Sequence, residues 1–360
     1  YINGLYWGVY NLCERGDANF ASTATGWGGN EGDWDVLKHD DGDTEDRSDG
    51  IAGMEVRDGS AEAYTNLVKY VTSNSTILQA DYIDICSKID IDAYIDYVIL
   101  EGYVGNQDWP NNNWIAMLSG RAGQPLRYLA WDLEYSLFST TGNRITATAD
   151  SGYKYTPEKI HRALVKSPEY RLRFADRVHR HFYKGGALTT ESLQARYSAR
   201  ADLIRKMIFA EVARWGYFYH DHYASWGKFN VLDTHYVDTS LKEGGKYSKA
   251  FKEDTWETEY NSILNFFQRR WSTSGGFKSQ LTGFKVGSTA YPLYPSVEAA
   301  EFGAVEGDAL SATLEIPSGT DITVYYTTDG SDPREAFTGN AVGMKYTANQ
   351  VITVTDTATL

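Results

Sequence analysis

Two aspartates and an asparagine, set at Asp108, Asn113 and Asp132, are the side chains of this sequence whose types and order could do chemistry. Asp108 and Asn113 lie in the polar run Gly105-Asn106-Gln107-Asp108-Trp109-Pro110-Asn111-Asn112-Asn113-Trp114, and Asp132 follows in Trp131-Asp132-Leu133-Glu134. A carboxylate in such a loop can take the proton of an acceptor hydroxyl, while one carboxylate and one amide offer hard oxygens to a divalent cation bound to phosphates. The plainer alternative is that the loop makes Asx turns and that Asp132 only ends a strand.

The elements around these residues decide what the order is worth. Asp90 can cap a helix carrying Ile91, Tyr94, Ile95, Val98 and Ile99, which would deliver the chain into the polar loop. Trp114-Ile115-Ala116-Met117-Leu118 and Leu126-Arg127-Tyr128-Leu129-Ala130-Trp131, joined by a Gly- and Pro-containing turn, read as a β-hairpin between the loop and Asp132. Helix, loop with Asp and Asn five apart, hairpin, then Asp is the succession that protein kinases use for the catalytic-loop acid and the two metal ligands.

Elsewhere, Tyr1-Ile2-Asn3-Gly4-Leu5-Tyr6-Trp7-Gly8-Val9-Tyr10 reads as an Asn-Gly hairpin that places the start of the chain inside a sheet, with further strands expected upstream. Residues 21–59 are Gly- and Asp-rich and read as loop, interrupted by a short Asp35-Val36-Leu37-Lys38 segment. Its acidic run from Asp40 to Asp49 lacks the EF-hand ligand register, so a solvated loop is favoured over a calcium site. Tyr64, Leu67, Val68 and Val71 repeat at helical spacing, and from Pro157 to about Trp271 the pattern is mostly helical, with Pro157 and Pro168 at first-turn positions. His179-Arg180-His181 falls on a helix, where ligands need a spacing of three or four, and His220-Asp221-His222 has no evident third ligand.

Of 360 residues, 42% are hydrophobic, 23% charged and 14% aromatic, the mark of ordinary globular domains with an unusual load of rings. The net charge of −14 argues against nucleic acid or an anionic membrane surface as the main partner. No apolar run is long enough to span a bilayer, and Cys13 and Cys86 allow at most one disulfide and no Cys-rich metal site.

Three blocks carry a family resemblance: Asn3-Gly4-Leu5-Tyr6-Trp7-Gly8-Val9-Tyr10-Asn11-Leu12-Cys13-Glu14; Tyr97-Val98-Ile99-Leu100 through Gly105-Asn106-Gln107-Asp108-Trp109 to Asn113-Trp114; and Trp131-Asp132-Leu133-Glu134. On these the chain, over about residues 1–275, resembles the spore coat protein H (CotH) family of atypical protein-kinase-like folds. The resemblance implies ATP-dependent phosphoryl transfer to Ser or Thr of secreted or surface proteins, with Mg²⁺ and ATP as cofactors. It implies Asp108 as the catalytic-loop acid, with Asn113, Asp132 and Glu134 at the metal. Lys38 resembles the family's strand-borne lysine, Glu14 would be its partner, and Asn106 falls at the cofactor. Glu134 stands where many members carry Asp.

Residues 294–360 resemble the small immunoglobulin-like domain at the C-terminus of chitobiase-type proteins, on Tyr325-Tyr326-Thr327-Thr328-Asp329-Gly330-Ser331-Asp332-Pro333. The expectation is therefore an α+β chain: a kinase-like domain over 1–275, incomplete in its N-terminal strands, a linker over 276–293, and an all-β sandwich over 294–360. The resemblances imply a secreted or cell-surface, bacterial protein, with carbohydrate a candidate contact of the last domain. The rival expectation is an inactive extracellular scaffold that binds carbohydrate or protein.

Overall fold

A computed structural model describes residues 2–10, 12–23, 28–39, 53–121, 123–149, 152–208, 210, 211, 214, 253–295, 301–304, 311–315 and 323–353. The acidic run at 40–49 and His220-Asp221-His222 lie outside them. The architecture is α+β. A four-stranded antiparallel sheet, in the order β2-β1-β3-β4, is built from β1 (Asp35–His39), β2 (Met54–Asp58), β3 (Trp114–Ser119) and β4 (Gln124–Ala130). All six residues of β3 are buried, because this central strand is covered on both faces. Trp114, Ala116 and Leu118 enter the large core, while Ile115 and Met117 pack with Ala18, Ala21, Trp34 and Val36 on the opposite face.

The large core is made by helices against the sheet. They are α2 (Glu62–Ser73), α3 (Gln79–Lys88), α4 (Ile91–Val104), α5 (Pro157–Leu164) and α6 (Pro168–Phe182), while short α1 (Ala18–Thr23) covers the other face. Helix α4 is apolar nearly all round, as a central helix must be, and nine of its residues are buried. The Asp90 carboxylate caps it by accepting from Ala93 N–H at 3.2 Å, and Gly105 ends it in the left-handed region at φ 69°. Pro157 and Pro168 open α5 and α6, where a missing N–H has no cost. Arg173 with Asp92, and Arg177 and His181 with Asp96, tie α6 to α4 at matching four-residue intervals on both helices.

Helices α7 (Thr190–Ile204), α8 (Glu253–Arg270) and α9 (Phe277–Thr282) follow. Arg270 is fully buried, with its guanidinium donating to the carbonyls of Gly102 (2.7 Å), Tyr103 (2.8 Å) and Thr140 (2.9 Å). A cation at the C-terminal end of α4 answers both the unpaired carbonyls and the negative end of the helix dipole. Burial still pulls its pKa down to about 10.

Three expectations are corrected, and one helix was missed. Asn3 and Gly4, both at positive φ, make a tight turn closed by two Ile2–Leu5 hydrogen bonds, but residues 6–10 join no described strand. The stretch 21–59 is not simply loop, since it contains β1 and β2. Helix α3 was not expected, because only Tyr82 and Ile85 of its ten residues are buried. Finally, 276–293 is no linker: Phe277, Leu281, Phe284 and Leu293 are all buried in the large core.

The remaining described strands, β5 to β11, are short. The pair β5 (Lys285–Val286) and β6 (Thr289–Ala290) closes the core region. After it, β7 (Glu301–Ala304), β8 (Ser311–Glu315) and β11 (Ile352–Thr353) form one small sheet, and β9 (Tyr325–Tyr326) pairs with β10 (Met344–Lys345). Tyr325 is half-exposed, whereas the Tyr326 ring meets Tyr346 edge-on at 6.3 Å. Cys13 and Cys86 are free thiols, and no described helix is long and apolar enough to cross a membrane.

Candidate functional site

The polar loop 105–113 leaves the end of α4 and is held from below and behind. Trp109 is fully buried and its indole N–H donates to Tyr97 Oη at 2.9 Å, so the loop is anchored one residue after Asp108. The Trp109–Pro110 bond is cis. Arg144 donates to the carbonyls of Asn106 (3.0 Å), Gln107 and Trp109 (2.6 Å), spanning the loop with one planar group. Its partial burial lowers its pKa, and the Asp108 carboxylate opposes that shift. Asp108 itself stays half-exposed at the mouth of this scaffold.

Asn106, expected at the cofactor, is instead fully buried and used up by the protein. Its Nδ2 donates to Glu101 Oε2 at 3.0 Å, and its Oδ1 accepts the Asp108 N–H at 3.1 Å. It therefore shapes the backbone under Asp108. Glu101 is wholly buried on α4, its second carboxyl oxygen has no partner, and burial pushes its pKa up to about 8. The acid is kept neutral over most of the physiological range and serves Asn106 as an acceptor.

Asn113 joins the three predicted pieces. It sits at φ 65° between the loop and β3, a conformation Asn tolerates better than most residues. Its Nδ2 donates to the Asp132 carbonyl at 2.8 Å and lies 3.4 Å from Asp108 Oδ2 and 3.5 Å from Asn106 Oδ1. With the amide nitrogen placed by these acceptors, no partner among the described residues holds Oδ1. Its backbone N–H donates to His39 Nδ1 at 2.8 Å, and Trp114 N–H reaches the same nitrogen at 3.3 Å. His39 thus ties the end of β1 to the start of β3.

Asp132 is exposed and at φ 58°, turned out of the strand that precedes it. The Glu134 carboxyl lies within hydrogen-bond reach of Asp132, which raises its pKa to about 6, with the Asp108 charge adding a smaller push. Three carboxyl groups therefore share one field, a repulsion that a cation standing between them would relieve. Among the described residues no three His, Cys, Asp or Glu side chains are grouped closely enough to cage a metal by themselves. What the site does offer is a set of hard oxygens, the Asp132 and Glu134 carboxylates and the Asn113 amide oxygen, of the kind that divalent cations take.

Lys38 lies on β1 opposite Glu55 of β2 and Ile115 of β3. Strand alternation puts it on the face shared by Val36, Ile115 and Met117, the face covered by residues 16–21. There Gly16 comes so close that a β-carbon would meet Ile115 at 2.9 Å. Arg57 stacks over the Trp131 ring on this side, 5.8 Å from its centroid, and donates to the Gly16 carbonyl. Glu14 is exposed and forms no ion pair with Lys38.

The structure thus brings Asp108, Asn113, Asp132 and Glu134 together, sets Lys38 one residue back along the strand from His39, and leaves Glu14 apart. Sequence reasoning missed Glu101, His39 and Arg144. An acid in the apolar C-terminal half of α4, five residues before Asn106, was a readable signal for the first; the other two carry none at the level of motif.

A family model described as CotH kinase protein covers residues 1–273. No curated protein matches the chain.

Proposed function

The chain belongs to the CotH kinase family, and from that premise we propose that its site transfers the γ-phosphoryl group of ATP to Ser or Thr hydroxyls of secreted or surface proteins. The observation that carries this reading is the Asn113 side chain, which spans the Asp108 carboxylate and the Asp132 backbone and so fixes acid and metal ligand relative to each other. Asp108 orients the acceptor hydroxyl and takes its proton as the new O–P bond forms and the bond to the ADP oxygen breaks. Asp132 and the free Oδ1 of Asn113, with Glu134 beside them, would hold Mg²⁺, which when bound neutralises phosphate charge. Lys38 approaches the phosphates from β1. Arg144, Asn106 and Glu101 touch no substrate and keep the loop in place.

The same reading treats residues 294–360 as a chitobiase-type immunoglobulin-like sandwich, one that could contact carbohydrate, in a secreted or cell-surface bacterial protein. The two small described sheets of that region support a β module without defining its class. A second reading, a non-catalytic scaffold that binds protein or glycan, is favoured by one observation: Glu14 and Lys38 are not paired, whereas active kinases join their strand lysine to a glutamate.

Calorimetric titration with MgATP separates the readings. Binding that needs Mg²⁺ and is lost in Asp132→Asn is expected. Asp108→Asn should keep that binding and lower phosphoryl transfer by about 10²- to 10⁴-fold, the usual weight of a positioned acid or base. A folded protein that binds no nucleotide, or an Asp132→Asn variant that binds as well as wild type, would refute the assignment.

A further inference from the structure

The loop that carries Arg334 and Phe337 is braced by hydrogen bonds of its own. Arg334 and Ala341 form an antiparallel bridge, and Glu335 N–H donates to the Asn340 carbonyl at 2.7 Å. The Glu335 carboxylate accepts from Thr338 Oγ1 (2.6 Å) and Asn340 Nδ2 (3.1 Å), closing the loop from inside. At its tip Phe337 stands at φ 67°, a conformation a bulky residue adopts only when held there.

That tip enters the helical domain. The Phe337 ring packs on the large core and meets Tyr82 of α3 edge-on at 5.9 Å. Its N–H donates to Glu169 of α6 at 3.0 Å. Beside it the Arg334 guanidinium, braced by Asp332 at 3.0 Å, reaches Asp176 at 3.4 Å and Glu169 at 4.0 Å, both on α6. An aromatic anchor flanked by a multiply paired Arg is the composition of an energetically dominant contact rather than of a chance touch.

We infer that the 334–341 loop is a plug that locks the C-terminal β module onto the face formed by α3 and α6, so that the two unfold as one cooperative unit. The plug lies outside the family match, which ends at residue 273, whereas the α3–α6 face it enters lies within it. The partner of the α3–α6 face is thus the chain's own C-terminal region. Through the ion pairs between α6 and α4, the plug also braces the helix that delivers the candidate loop.

The full chain tests this directly. Wild type should melt in a single calorimetric transition and resist limited proteolysis between the core and the module. Phe337→Ala and Arg334→Ala should each speed that cleavage by about tenfold or more, equal to about 1.4 kcal/mol in the docked-to-open ratio, and together split the transition in two. Lys345→Ala, on an exposed site of the same module, should cleave like wild type. Hydrogen exchange at the β9–β10 pair checks that the module stays folded in each variant. Two transitions already present in wild type, or plug variants that cleave no faster than Lys345→Ala, would overturn the inference.

Discussion

Replacing Glu101 by Gln should flatten a pH dependence of stability that originates in the site's foundation. Glu101 is fully buried, one of its oxygens serves Asn106, and the other has no partner. Its folded pKa is raised from the ordinary 4.5 to about 8, burial being the largest cause and the Asn106 hydrogen bond opposing it. Folding therefore favours the protonated acid. The stability this brings is fully present below about pH 4.5 and is lost as pH rises through that range toward 8. Each pH unit between the two values corresponds to about 1.4 kcal/mol, so wild type should lose roughly 2 kcal/mol between pH 6 and pH 8 that Glu101→Gln retains. Gln keeps the acceptor for Asn106 and cannot ionise, so the two proteins should be close at pH 5 and diverge above it. Urea denaturation at half-unit pH steps reads this as a widening gap in midpoints at constant slope. Parallel midpoints from pH 5 to pH 8 would refute the idea that Glu101 is neutral in the fold.

Two further substitutions probe the scaffold. Arg270→Met removes the donor for the buried carbonyls of Gly102, Tyr103 and Thr140 while keeping an apolar stem, and should cost about 3 kcal/mol in thermal or chemical unfolding; a loss below about 1 kcal/mol would mean that water or another group replaces it. Arg144→Ala should leave stability less affected but lower phosphoryl transfer by about tenfold to a hundredfold through misplacement of Asp108, with Arg144→Lys recovering only part, since an ammonium cannot span three carbonyls as a planar fork does.

Periodicity carried most of the helical architecture. Tyr64, Leu67, Val68 and Val71 face the core as their spacing requires, and the prolines at 157 and 168 mark true first turns. The hairpin and the Asp90 cap were equally legible, since both are local. What failed was decided by tertiary cover. Strand β2, Met-Glu-Val-Arg-Asp, is an edge strand with charged alternate positions and hides within a Gly- and Asp-rich stretch. Glycine at 275 and 276 and prolines at 292 and 295 looked like a domain boundary, yet Phe277 and Phe284 between them fill the core. In the site, the Asp108, Asn113 and Asp132 order was visible because chain order and function coincide there. His39 and Arg144 depend on which element packs over them, which no single residue announces.

The bond from Asn113 to His39 has a mechanical meaning. Lys38 opposes Ile115 in a paired ladder, and the next step of that ladder is sealed by one imidazole accepting two backbone N–H groups from Asn113 and Trp114. The lysine and the Asn113 amide are thus mounted on a common plate, unlike parts carried by two lobes that swing about a hinge. Their separation can change only by tearing the sheet at its buried centre. On the proposed reading, opening and closing around a nucleotide would fall to segments packed on the plate, such as 12–23 with its glycine at 16, rather than to the plate itself.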